Sequence, residues 1–224
     1  MRYAAVNAAL TIFAAASLTT VFPQIDAKQT YSFAGSNALA AQIRQGAPAD
    51  VFASANTAIP QQLYAEGLAE KPVVFTRNVL ILIVPKSNPA HVHSVYDLRR
   101  KGLKLVVAAP GVPVGDYTRT VLHHLGLDKV LANVVSNEID VREVLAKVAL
   151  GEADAGFVYT TDARTVKGKV ATIGIRRSAQ PVVRYAVAVV TSSTHRAAAR
   201  AWVKRLLGEP EQKKLVEAGF LRVR

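Results

Sequence analysis

The residues of this chain best suited to chemistry are small and mostly neutral. They lie in five segments: Ala16-Ser17-Leu18-Thr19, Gly35-Ser36-Asn37, Val112-Pro113-Val114-Gly115, Asp140-Val141-Arg142 and Val158-Tyr159-Thr160-Thr161-Asp162. Several of them end a short apolar run just where a helical pattern begins. A helix start leaves its first N–H groups unpaired and carries the positive end of the helix dipole, so it can hold an anion without a lysine or arginine. Singly, each has a plainer reading: a serine before a helix is an N-cap, Gly-Ser is a turn, and a lone tyrosine is packing.

Other chemistries find less support. A hydrolase would take Ser17 or Ser36 as nucleophile, His123 or His124 as base and Tyr159 as electrophilic aid. The chain has no G-x-S-x-G elbow, and no strand end combines serine, histidine and acid in a usable spacing. His123 and His124 fall late in a helical pattern, where cations suit the dipole. His91 and His93 sit in a polar loop after Pro89, with no further metal ligands nearby. With no cysteine, there is no disulfide framework, thiolate metal site or lipid-accepting thiol. The net charge of +12 favours an anionic partner but does not choose one. No zinc-finger spacing, helix-turn-helix, RNA-binding signature or Walker loop points to nucleic acid. Arg200, Lys204, Arg205, Lys213 and Lys214 fall in helical patterns that read as a solvated face.

The elements that must carry the five segments are legible as an alternation. Apolar, β-branched runs (LTIFAAA, SFAG, DVFAS, VLILIVP, LKLVVAA, AGFVY and YAVAVV) alternate with amphipathic stretches, the pattern of an α/β protein with mainly parallel strands. Gly126 closes a helix beginning near Tyr117. Asp140 with Glu143 opens one that Gly151 closes, Thr194 caps another, and Pro210 opens the last. The front of the chain, Met1-Arg2 followed by AAVNAALTIFAAAS, imitates a secretory signal cut after Ala16, but TIFAAA also reads as a buried strand, which we favour. No linker marks a boundary in these 224 residues, so a two-lobed division has to be discontinuous: residues 1–77 and 186–224 as one lobe and 78–185 as the other. Crossings then fall at Arg77-Asn78-Val79 and near Arg184-Tyr185-Ala186.

Taken in order, FAAASLT, SFAGSNALAAQIRQGAPADVFASAN, RNVLILIVPKSNP, VPVGDYT, DVREVLAKVALGEADAGFVYTTDA and the closing GF resemble the periplasmic molybdate-binding protein family over nearly all of the chain from about Ala9. GAPADVFASA and GEADAGFVY are the most specific pieces. The resemblance implies a two-lobed type II periplasmic binding protein that closes by hinge motion, not an enzyme and without a cofactor. It implies a monomer that takes molybdate or tungstate outside the cytoplasm and delivers it to an ABC permease and its ATPase. A sister protein for another oxyanion such as sulfate is the nearer alternative. The resemblance assigns hydroxyl and amide donors to Ser17 and Ser36, backbone N–H donors to Val114 and Val141, and the phenolic hydrogen to Tyr159. The set suits a fully deprotonated dianion, because only donors are wanted around it and hydrogen bonds to a charged partner each contribute roughly 1.5 to 3 kcal/mol. One departure stands out: the link LTTVFPQIDAKQTYSF is shorter than is usual in the family, and Pro23 confines its helix to a turn or two.

Overall fold

The computed structural model describes residues 9–223. The apolar runs become strands of two five-stranded sheets. The first third of the chain supplies β1 (Thr11–Ala15), α1 (Phe22–Ile25), β2 (Thr30–Ala34), α2 (Ser36–Arg44), β3 (Val51–Ser54), α3 (Ala58–Ala65) and β4 (Val73–Asn78). After the single residue Val79 come β5 (Leu80–Pro85), β6 (Leu105–Ala108), α4 (Pro113–His124), β7 (Val134–Glu138), α5 (Val141–Ala149), β8 (Ala155–Tyr159), α6 (Thr160–Thr165) and β9 (Val170–Ile173). The chain then returns through β10 (Val183–Val189) and ends in α7 (Arg196–Leu206) and α8 (Glu209–Glu217).

The first sheet has the order β2-β1-β3-β10-β4 and the second β7-β6-β8-β5-β9. Each is mixed. β1 pairs parallel with β2 and β3, and β6 with β7 and β8, while the strands next to the crossings pair antiparallel: β10 with β3 and β4, β5 with β8 and β9. The outbound crossing is at Asn78-Val79-Leu80. On the return, β10 joins the first sheet from Val183, which pairs with Asn78. One buried apolar cluster runs through both sheets, and a smaller one lies beneath α2 and α3.

Residues 1–8 of the signal-like stretch lie outside the described residues. Its continuation is strand: β1 sits between β2 and β3 with Ile12 and Ala14 fully buried. Cutting after Ala16 would therefore remove an interior strand. Two helix starts differ from expectation. α4 begins at Pro113 rather than near Tyr117, because a proline at the first helical position costs no hydrogen bond and presets φ. α7 takes His195 as its N-cap, with no side-chain hydrogen bond, so Thr194 does not cap it. α1 is four residues long, but Pro23 stands in its first turn, where proline is tolerated, and the helix ends at the extended Asp26.

Gly115 fixes how α4 meets the sheet. The first turn of α4 lies so close to the end of β6 that a Cβ on Gly115 would stand 2.3 Å from the Ala109 carbonyl oxygen and 2.5 Å from that of Ala108. Both are backbone atoms, so no side-chain rotation relieves the contact. Gly115→Ala is expected to destabilise the protein by about 1–3 kcal/mol, the usual range for forced overpacking. Equilibrium denaturation checks this, and an unchanged midpoint would show that the turn has room to move.

Candidate functional site

The five segments arrive at one place. Ser17 stands in a 3-10 turn (Ala16–Leu18) directly after β1, and Ser36 is the first residue of α2, directly after β2. From the other sheet, Val114 is the second residue of α4, Val141 is the first of α5, and Tyr159 ends β8 as the N-cap of α6. All five line one small cavity between the sheets, together with Ala15, Ala16, Ala34, Gly35, Ala55, Val112, Pro113 and Asp140. None of the five is more than 4% exposed. No lysine, arginine or histidine lines the cavity among the described residues.

The hydrogen bonding around the cavity leaves donors turned towards it. The Asp140 carboxylate accepts from the N–H groups of Arg142 (2.7 Å) and Glu143 (3.2 Å), so its oxygen is occupied while the Val141 N–H at the head of α5 is left unclaimed. Ser36 Oγ accepts from the Ala55 N–H at 3.1 Å, which leaves the serine hydrogen free to point elsewhere. Tyr159 is the decisive case. Its hydroxyl is buried and has no hydrogen-bond partner, and among the described residues it is the one such side-chain atom on a residue lining the cavity. Burial pushes this phenol well above its ordinary pKa, so it keeps its proton and stays a donor. An unpartnered buried donor costs on the order of 1–3 kcal/mol, a cost that an anion in the cavity would relieve.

Behind Tyr159 lies a buried charge. Asp162 Oδ2 accepts from the Tyr159 N–H at 3.3 Å, and Arg142 Nε is 3.4 Å from Asp162 Oδ1, close enough for an ion pair. Burial pushes the Asp162 carboxyl up to about 7, against the pull of Arg142. Arg142 also spans the two halves: its guanidinium donates to Thr165 Oγ1 (3.0 Å) on its own side and to Thr20 Oγ1 (2.9 Å) and the Ala16 carbonyl (3.4 Å) across the cleft. Gly35 is a second point of approach, since a Cβ there would be 2.4 Å from the Ile139 carbonyl oxygen. The structure is thus closed over the cavity.

Sequence reasoning missed Arg142, the crossing-strand residues Asn78 and Tyr185, and the role of Gly35. Arg142 was visible only as the residue after Val141, and its partners across the cleft are more than a hundred positions away in the chain. The histidines proposed as bases are elsewhere: His123 Nδ1 faces Asp128 and His124 Nδ1 faces the Ala179 carbonyl, both at 3.2 Å. Neither serine therefore has a base beside it.

Two mixed sheets joined by crossing strands and closed over a small cavity of neutral donors define a two-lobed α/β solute-binding protein. The chain belongs to the family of bacterial extracellular solute-binding proteins, whose model matches residues 3–221. It is similar to the molybdate-binding protein ModA of Mycobacterium tuberculosis, 38% identical over 223 residues that cover 95% of this chain and 84% of the relative. Among solved structures, the substrate-binding domain of a putative molybdenum ABC transporter from Clostridium difficile is 31% identical with a TM-score of 0.70, covering 96% of this chain and 99% of that one. The periplasmic molybdate-binding protein of Azotobacter vinelandii, at 22% identity, matches the fold with a TM-score of 0.85 over 96% of this chain and 100% of its own.

Proposed function

We propose that this protein captures molybdate, or tungstate with its matching charge and size, outside the cytoplasm and delivers it to an ABC permease powered by an ATPase. It works as a binding protein rather than an enzyme, as a monomer, with no nucleic acid and no cofactor. The observation that carries the reading is the unpartnered Tyr159 hydroxyl, buried in a cavity that otherwise offers serine hydroxyls and helix-start amides. Ser17, Ser36 and Tyr159 donate through their side chains, and Val114 and Val141 through backbone N–H groups. A molybdate dianion accepts at every oxygen and brings no proton, so it fits a site of donors alone. Hydrogen phosphate carries a proton that calls for a strong acceptor, and none of the five side chains is a carboxylate. The name of the Mycobacterium relative points to the same oxyanion, and that of the Clostridium structure to molybdenum.

The lobes follow the sheets: the first is built from the chain up to Asn78 and from Val183 onwards, the second from the segment between. The positive charge does not need nucleic acid to explain it. Arg200 pairs with Glu70, Arg205 with Asp26, and Lys214 donates to the Gln24 carbonyl, so these cations of α7 and α8 are engaged within the protein.

Thermal unfolding with excess molybdate, tungstate, sulfate, phosphate and nitrate tests the substrate. A ligand bound only by the folded state at 100 times its Kd adds about 2.7 kcal/mol of stability. The melting temperature is expected to rise with molybdate and tungstate alone. A rise with sulfate instead would change the substrate and keep the fold. Calorimetry on variants tests the donors: Tyr159→Phe and Ser36→Ala should each weaken molybdate binding about tenfold or more, whereas Val114→Ala, which keeps its N–H, should change it little. Equal losses at all three would contradict the backbone role of Val114. Gly35→Ala tests closure. The N-cap backbone of Gly35 (φ −57°, ψ 135°) suits alanine, so the fold should hold. The added methyl would meet the Ile139 carbonyl and keep the lobes from closing, so molybdate affinity should fall more than tenfold with little change in the melting temperature of the free protein.

A further inference from the structure

Ser17 is the one side-chain donor of the cavity whose hydroxyl already has a side-chain neighbour of ambiguous direction. Its Oγ lies 2.8 Å from Tyr185 Oη, and either atom could donate. Which one does so decides whether Ser17 meets an anion with a hydrogen or with a lone pair, and the surrounding groups settle it. The Val79 N–H can only donate, and it points at Asn78 Oδ1 at 2.9 Å, so the Asn78 amide must turn its NH₂ the other way. That NH₂ donates to Thr161 Oγ1 at 2.9 Å and to Tyr185 Oη at 3.3 Å. Since Asn78 Nδ2 can only donate, Tyr185 Oη accepts from it and has its own hydrogen left for Ser17 Oγ. Ser17 Oγ then accepts, and its hydrogen is free for the cavity.

We infer that Asn78 and Tyr185 are positioning residues: they form a directed hydrogen-bond relay, Val79 N–H to Asn78, Asn78 to Tyr185, Tyr185 to Ser17, that makes Ser17 a donor towards the bound oxyanion. The inference rests on Ser17 being a ligand donor, as proposed above. Tyr185 and Asn78 do not line the cavity themselves. They lie on β10 and at the end of β4, the strands that meet where the chain crosses between sheets, and both are buried. Burial also holds the Tyr185 phenol well above its ordinary pKa, so its hydrogen is present at any physiological pH. Ser36 is fixed in the same sense by a simpler route, the Ala55 N–H that its Oγ accepts. Both serines are thus held as donors from behind, one by backbone and one by the relay. The relay also touches both halves, because Thr161 belongs to α6 of the second sheet's half and Ser17 follows β1 of the first.

The test is a double-mutant cycle read by calorimetry with molybdate. Tyr185→Phe keeps the ring and removes the hydroxyl, so Ser17 regains its freedom to rotate. Molybdate Kd should weaken about tenfold in the otherwise unchanged protein, and by less than about twofold when Ser17→Ala is already present. A merely structural role for Tyr185 would cost the same in both backgrounds, and that additive result would overturn the relay. Asn78→Ala gives a second route if Tyr185→Phe folds poorly. It leaves Tyr185 in place but releases its hydroxyl, so it should weaken binding in the same direction, again only while Ser17 keeps its hydroxyl. An equal loss with and without that hydroxyl would again overturn the relay. No molybdate binding by the unsubstituted protein would instead overturn the proposed substrate, and the relay with it; the two failures are therefore distinct.

Discussion

Where the two halves meet, hydrogen-bond donors are buried without a partner in the protein. The Tyr159 hydroxyl is the plainest instance, buried without a partner. The Val141 N–H, freed because Asp140 takes the next two amides, belongs to the same set. Donors left in this condition make the closed form costly by itself, by roughly 1–3 kcal/mol for each group. A small anion with acceptors on every side relieves all of them together. On the function proposed above, binding and closure would be one event, the ligand stabilising the closed arrangement to the extent that it binds closed better than open.

The rest of the fold can be understood as serving that convergence. Strands of both sheets end at the cleft, and three of the five segments continue directly into helices of eight residues or more, whose first turns carry unpaired N–H groups. Glycines set the approach distances: Gly115 lets α4 lie against the carbonyls that end β6, and Gly35 lets the first half come up to Ile139 of the second. Arg142, one residue beyond Val141, ties the same corner across the cleft to Thr20 and Ala16. A row of aromatics, half-buried Tyr117 and buried Tyr159, Tyr185 and Phe220, extends from the cavity with successive ring centroids 5.5–6.4 Å apart.

Seven strands could be read in the sequence because they are continuous apolar runs. β4, β7 and β9 were not named as strands; all three are outer strands, as is β2, which was read from SFAG. β7 alternates half-buried and exposed residues along VVSNE, and β9 is nowhere fully buried, so neither produces an apolar run. Start positions of helices were less legible than their ends: Gly126 and Gly151 mark ends by adopting positive φ, whereas Pro113 opens a helix in a stretch that reads as a turn. The segments of the site were visible because each is a local strand-to-helix junction. Tyr185 and Asn78 were visible only as part of the crossings, because what matters about them is contact with Ser17 and Thr161, 168 and 83 positions away. Local pattern carries the junctions; only the folded chain carries the links between them.

Anomalous diffraction at the molybdenum edge, from crystals of the protein grown with molybdate, would locate the anion directly. The donor-only cavity predicts a single strong peak between Ser17, Ser36, Val114, Val141 and Tyr159, with the Tyr159 hydroxyl and the Val141 N–H within hydrogen-bond distance of its oxygens. A peak placed instead among the basic side chains of the outer cleft around Arg164, Lys167 and Lys214 would contradict it, and would mean that charge rather than neutral donors selects the ligand.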